Sequence, residues 1–141
     1  MNKNNKKHTY DSILLIDDSV LDNFINEKMV ELNFFAKKIY VSTSGNSALE
    51  FINNLVVLGK TEESLYPSII FVDLNMPNMD GFAFIENLKK INSKSLKKTK
   101  LVMLTSSINI EDKKRVEGIE GGVTFVNLNQ LIPIVKKQIM H

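Results

Sequence analysis

Short, continuous apolar runs are the feature that most constrains how this chain of 141 residues can fold. Four of them lie at residues 13–16 (ILLI), 39–41 (IYV), 69–72 (IIFV) and 101–104 (LVML), and a weaker one lies at 123–126 (VTFV). Three of these runs (ILLI, IIFV and LVML) contain no polar residue, which is typical of strands buried on both faces of a parallel sheet. We therefore predict a sheet of five parallel strands.

Amphipathic helical patterns separate these runs, because apolar residues recur there at three- and four-residue steps. The stripes lie at residues 48–56, 84–91, 110–119 and 131–139, and in the first helix at Leu21, Phe24, Ile25, Met29 and Leu32. We expect part of the stripe in the first helix to belong to the core. The alternation of strands and helices predicts a (βα)₅ domain with helices on both faces of the sheet.

Composition and charge exclude several classes of protein. The chain has no Cys, which excludes disulfides and thiolate zinc sites, and no run approaches the roughly 20 apolar residues of a membrane span. The formal net charge is +2, but residues 1–8 contribute three lysines and no acid. The excess of positive charge therefore comes from this short segment, and the remaining residues do not indicate a basic face that would bind nucleic acid. We predict a disordered basic arm at residues 1–10, one domain at 11–141, and a soluble, cytoplasmic protein with neither a membrane nor a nucleic-acid partner.

Polar side chains follow three of the predicted strands. Asp17 and Asp18 come directly after the first run, Asp73 after the third and Thr105 after the fourth. In parallel α/β folds these strand ends meet at one edge, where ligands bind. Two carboxylates about 4 Å apart repel each other by roughly 4 kcal/mol at an effective dielectric of 20, so such a cluster requires a cation or raised pKa values. A single strand-end Asp is often only a helix cap, but three hard oxygen ligands without a nearby His or Cys favour Mg²⁺.

The sequence lacks the motifs that other functions of this fold class require. No G-x-G-x-x-G loop follows the first strand, and no G-x-x-x-x-G-K-[ST] loop occurs in the chain. A haloacid-dehalogenase-type phosphatase would need a second Asp two positions after Asp17, where this chain has Ser19. The sequence therefore gives little support to an enzyme of these classes.

One longer segment points to a family. Residues 73–81 (DLNMPNMDG), with residues 16–19 (IDDS) before them and 104–106 (LTS) after them, resemble the phosphoacceptor site of response-regulator receiver domains. The resemblance extends in the same order from residue 12 to the C-terminus. It implies a flavodoxin-like (βα)₅ fold, in which a doubly wound, parallel five-stranded sheet lies between two layers of helices. It also implies a single-domain, CheY-like response regulator of a two-component phosphorelay.

The resemblance further implies a role for each matching site residue. Asp73 is the expected nucleophile, which takes a phosphoryl group from a phosphohistidine on a sensor histidine kinase or a phosphotransfer protein. Asp18 is expected to bind Mg²⁺ directly and Asp17 to assist, often through water, while Asp73 and the backbone carbonyl of Asn75 complete the protein ligands. Such a protein is a phosphoacceptor rather than an enzyme, with at most self-phosphotransfer and autodephosphorylation.

Two further residues are implied to transmit the signal. Thr105 is expected to hydrogen-bond a phosphoryl oxygen, and Phe125 is the aromatic residue whose rotamer is expected to follow it. The resulting change would alter contacts with an unidentified downstream protein. The phosphodonor is expected to dock beside the site, on the edge of the first helix around Leu21, Phe24 and Ile25.

One position departs from the family's pattern. Receiver domains place a Lys three residues after the aromatic of the fifth strand, where this chain has Leu128, and no Lys or Arg occurs from residue 116 to residue 135. Either the site binds metal but holds the acyl phosphate poorly or signals differently, or a neighbour from residues 113–115 replaces the missing ammonium. Two alternatives stay open: a degenerate receiver that binds partners independently of phosphorylation, and a phosphohydrolase that acts on small molecules.

Overall fold

A computed structural model describes residues 7–58, 65–105, 110–119 and 122–127, with only the backbone described at residue 105 and residues 125–127. The strands of the described residues are β1 (Tyr10–Ile16), β2 (Ala36–Ser42), β3 (Ile69–Asp73), β4 (Lys100–Thr105) and β5 (Thr124–Asn127). The helices are α1 (Val20–Leu32), α2 (Gly45–Leu58), α3 (Gly81–Lys89), α4 (Lys94–Lys97) and α5 (Ile110–Glu117). The predicted C-terminal helix at 131–139 lies outside the described residues.

The five strands form one parallel sheet in the order β2-β1-β3-β4-β5, which confirms the predicted doubly wound fold. The chain places β2 on one side of β1 and then crosses to place β3 on the other side. The strand order therefore reverses direction between β1 and β3. This is the switch point at which ligands bind in open α/β sheets. β1 begins at Tyr10, the last residue of the predicted arm, and Thr9 N donates to Phe34 O at 3.1 Å.

Alternate residues of each central strand enter two separate cores, one on each face of the sheet. In β1, Leu14 and Ile16 belong to the larger core, whereas Ile13 and Leu15 belong to the smaller one. All four are buried, which explains why the strand is continuously apolar rather than alternating. Full burial of each such side chain contributes about 1.5–3 kcal/mol.

The orientation of α1 differs from the one that its apolar stripe predicted. The exposed fraction is 65% for Leu21, 55% for Phe24 and 45% for Ile25, and Leu32 is exposed as well. Only Met29 of the stripe packs against a core. The expectation that part of the stripe belongs to the core therefore holds, but only at Met29, which is partly buried.

Polar residues take the place of the stripe on the buried side of α1. Asn23, Asn26 and Val30 are the buried residues of this helix. The amide of Asn23 donates hydrogen bonds to backbone carbonyls at the ends of β1 and β2. These hydrogen bonds orient the helix, since a different rotation would bury apolar side chains and take the Asn23 donor away from the carbonyl of Asp17. In the described part of the chain, no helix has both the length and the apolar character needed to cross a membrane.

Candidate functional site

The structure brings three of the sequence-predicted site residues together at the carboxyl edge of the sheet. Asp17 and Asp18 follow β1, and Asp73 ends β3, the strand that pairs with β1. One carboxylate oxygen from each residue lies within 4.8 Å of the others. We call these three residues the acid cluster. Their convergence results from the adjacency of β1 and β3 and not from closeness in sequence.

Asp17 is the most buried member of the acid cluster. Its Oδ1 accepts a hydrogen bond from Ser19 N at 2.9 Å, and its Oδ2 is buried without a partner among the described residues. Burial raises the pKa of Asp17, and the charges of Asp22 and Asp18 raise it further, whereas the hydrogen bond from Ser19 opposes the shift. A bound cation, or a water molecule that the cation holds, would supply the partner that this buried carboxylate oxygen lacks.

Asp73 is half-buried, and its carboxylate titrates far from its ordinary range. Burial, followed by the charges of Asp17 and Asp18, raises the pKa of Asp73 to about 6. The N–H of Asn75 donates to Asp73 Oδ1 at 3.2 Å and partly offsets this rise. Among the described residues, none of the three acids takes part in an ion pair. The negative charge of the cluster is therefore not compensated within that part of the chain.

The loop after Asp73 is held against the strand by close backbone packing. Gly81 N donates to Leu74 O at 2.9 Å, and a Cβ at Gly81 would lie 2.9 Å from Asp73 O. No side chain fits there without displacing backbone, so this glycine is required by the close approach. Asp80 caps α3 through a hydrogen bond from Ala83 N at 2.8 Å. The loop thereby fixes the end of β3 and the position of Asp73.

The donor set of the acid cluster fits Mg²⁺. Three carboxylates converge, Asp17 offers an unpartnered buried oxygen, and no His lies in the group. Hard oxygen donors of this kind suit Mg²⁺, which binds through few carboxylates and keeps several waters. A cation would also remove the repulsion that raises the pKa of Asp73.

The other predicted site residues are described less fully. Thr105 ends β4 and pairs with Asn127 of β5, so both strand ends lie at the edge that carries the acid cluster. The side chains of Thr105 and Phe125 lie outside the described residues, as does all of Leu128. The described part of β5 ends at Asn127, which precedes Leu128 in the sequence.

The residues suggested as replacements for the missing ammonium lie on α5. The guanidinium carbon of Arg115 is 4.0 Å from the centroid of the Phe82 ring, a cation–π contact with the first turn of α3. Within the described residues, Lys113 and Lys114 form no ion pair with the acid cluster. This part of the chain therefore gives no support to a compensating cation from residues 113–115.

Sequence reasoning missed Asn23, which touches the site through the backbone. Its Nδ2 donates to Asp17 O at 2.8 Å and to Ser42 O at 3.3 Å. The partners are carbonyls six and 19 residues away, so no motif or spacing could have found them. The sequence showed only that residue 23 is polar. Polar residues on helices usually face solvent, so this did not predict a buried contact.

Comparisons with known proteins agree on one family. The family model of the response regulator receiver domain matches residues 13–126. The response regulator Rcp1 of Synechocystis is 29% identical over 71% of this chain, and the sensor histidine kinase CheAY of Helicobacter pylori is 32% identical over 79%. This chain spans 65% of the length of Rcp1 and 12% of that of CheAY. The crystal structure of a two-component response regulator from Cytophaga hutchinsonii matches with a TM-score of 0.76 and 30% identity, covering 96% of this chain and all of that one.

Proposed function

The chain belongs to the response regulator receiver domain family, and we propose that it accepts a phosphoryl group on Asp73. The donor is a phosphohistidine on a sensor histidine kinase or a phosphotransfer protein. The observation that carries this proposal is the convergence of Asp73 with Asp17 and Asp18, since one carboxylate oxygen from each residue lies within 4.8 Å of the others. A lone strand-end Asp would serve as a cap, whereas this group supplies both an acceptor and a cation site.

The transfer requires positioning and charge neutralisation more than covalent chemistry. One oxygen of Asp73 attacks phosphorus as the P–N bond breaks, and the bond's electrons stay on the imidazole, which is protonated as it leaves. The N–H of Asn75 donates to Asp73 Oδ1, and this hydrogen bond holds the carboxylate in a fixed orientation. Asp17, Asp18, Asp73 and the carbonyl of Asn75 would hold Mg²⁺, which neutralises charge on the phosphoryl oxygens.

The signal is proposed to leave the site through β4 and β5. Thr105 ends the strand that pairs with β3, and Phe125 lies on the neighbouring strand, whose backbone pairs with β4 at Met103. We assign them the family's roles, hydrogen bonding of a phosphoryl oxygen by Thr105 and a coupled rotamer change at Phe125. This change alters contacts with a downstream protein.

The phosphodonor is proposed to dock on the exposed apolar side chains of the first turns of α1. These residues, which we call the α1 patch, are Val20, Leu21, Phe24 and Ile25. The patch begins directly after Ser19, the N-cap of α1, and therefore lies next to the acid cluster. Exposed apolar side chains that cluster beside a site are typical of a binding surface.

Mass spectrometry after treatment with acetyl phosphate and Mg²⁺ tests the proposed acceptor. The wild type is expected to gain the mass of one phosphoryl group and Asp73→Asn to gain none. Asp80→Asn is the matched control, because it makes the same change in the same loop and Asn still caps a helix. Uptake by Asp73→Asn would contradict the acceptor. No uptake by the wild type would support the phosphorylation-independent receiver, and turnover of a generic phosphate ester would support a hydrolase.

A further inference from the structure

Asn23 is a polar side chain on the buried side of α1, with 3% of its surface exposed. Its Nδ2 donates to the carbonyl of Asp17 at 2.8 Å and to that of Ser42 at 3.3 Å. Because both neighbours are acceptors, the amide can have only one orientation, with Nδ2 toward the strand ends. The side chain therefore links α1 to the ends of β1 and β2.

These hydrogen bonds converge on Asp17. Its N–H donates to Ser42 O at 3.2 Å, its carbonyl accepts from Asn23, and its carboxylate accepts from Ser19 N. The residue is thus held through its backbone on both sides and through its side chain. Asp18 follows Asp17 directly in the chain, so the same contacts also fix the backbone position from which the Asp18 side chain extends.

Packing does not explain why an Asn occupies this position. Its Oδ1 is buried without a partner among the described residues, which is unfavourable for the folded state. Asn26 lies three residues later on the same side of α1 and is also buried. In contrast to Asn23, Asn26 forms no hydrogen bond with Asp17 or Ser42, so it is a natural control.

We propose that Asn23 is a positioning residue for the metal site, holding Asp17 and Asp18 where a cation meets them already arranged. This inference rests on the proposed function, which assigns Mg²⁺ to the acid cluster. Residues that hold metal ligands in place typically change metal affinity by about 10–100-fold when they are removed. We therefore expect Asn23 to act on the affinity for Mg²⁺ without touching the ion.

The test is a titration of the full chain with Mg²⁺ alone, followed by NMR of the Ser19 amide, which donates to Asp17. Asn23→Ala is expected to weaken Mg²⁺ binding about tenfold or more and to shift the Ser19 resonance before metal is added. Asn26→Ala removes the same amide from the same side of the helix and is expected to leave the affinity within about twofold. Asn23→Leu, which fills more of the space, serves if Asn23→Ala does not fold.

The outcomes separate this inference from the proposed function. If the wild type binds Mg²⁺ and the Asn23 variants bind it equally well, Asn23 is only a structural residue and the inference is wrong. If Asn23 and Asn26 variants weaken binding to the same extent, the effect is a general loss of stability, which also overturns it. A wild type that binds no Mg²⁺ would contradict both the metal site and the positioning role.

Discussion

Helices α1 and α2 are both amphipathic and both contact the sheet. However, α2 packs its apolar side against the sheet, whereas α1 packs a largely polar side against it. α2 buries Ala48 and Ile52 in the larger core, whereas α1 buries two asparagines, Asn23 and Asn26, along with Val30 and leaves most of its apolar stripe exposed. The difference arises from the groups that each helix contacts. α2 packs on apolar side chains, while α1 starts at the acid cluster and bonds to strand-end carbonyls. Polar contacts at a functional edge can thus override the burial of an apolar stripe.

The largest effect that this comparison predicts is on stability. Ile52→Ala removes a fully buried side chain from α2 and is expected to lower the free energy of unfolding by about 2–5 kcal/mol. Phe24→Ala removes a larger side chain from α1, but that side chain is 55% exposed, so the expected loss is under about 1 kcal/mol. Urea denaturation of both variants checks this. Equal losses would show that the α1 patch is part of the core.

A second prediction concerns the charge that the acid cluster lacks. Leu128→Lys is expected to raise the rate of phosphoryl incorporation from acetyl phosphate by about one to two decades, since a charge-assisted hydrogen bond contributes roughly 1.5–3 kcal/mol. Leu58→Lys, the same change at an exposed residue at the end of α2, is the control. If wild type and Leu128→Lys are equally fast, another group replaces the missing ammonium.

The pH dependence of stability is the third prediction. The pKa of Asp73 is about 6 in the folded protein and near its ordinary 3.8 in the unfolded chain. The folded state therefore binds the proton more tightly, so this stabilisation is present below pH 4 and is lost as pH rises through 6. After allowance for partial exposure, we expect a contribution on the order of 1–2 kcal/mol.

Thermal melts between pH 4 and pH 8 check the pH effect. Asp73→Asn removes the titrating group and is expected to be more stable than the wild type at pH 7 without metal. Millimolar Mg²⁺ is expected to narrow that difference, because it binds the native state and binds the wild type, which has three carboxylates, more tightly than the variant, which has two. Identical pH profiles for the two proteins would contradict the raised pKa of Asp73.

Much of the fold was accessible from the sequence, because strands buried on both faces leave continuous apolar runs. The runs at 13–16 and 69–72 lie in β1 and β3, and the motif at 73–81 identified the family. The helical stripe of α1 was misleading because periodicity shows that a helix has two sides, not which one meets the sheet. That choice depends on the contact between Asn23 and Ser42, which are 19 residues apart in sequence.

The smallest predicted effect is on recognition of the phosphodonor. Phe24→Ala in the α1 patch is expected to slow transfer from a phosphotransfer protein about tenfold, with no change in labelling by acetyl phosphate. Leu32→Ala is the matched control, because Leu32 is exposed at the far end of the same helix. An equal effect of the two substitutions would show that α1 does not dock the donor at the patch.

The central claim is that the acid cluster directs a phosphoryl group to one carboxylate, and locating that group tests it most directly. The protein is treated with phosphoramidate and Mg²⁺, an aspartyl phosphate is reduced with borohydride to homoserine, and peptide masses identify the changed residue. We expect the change at Asp73 and not at Asp17 or Asp18, and its loss when EDTA replaces Mg²⁺. Reduction at another residue, or equal labelling without metal, would contradict the account.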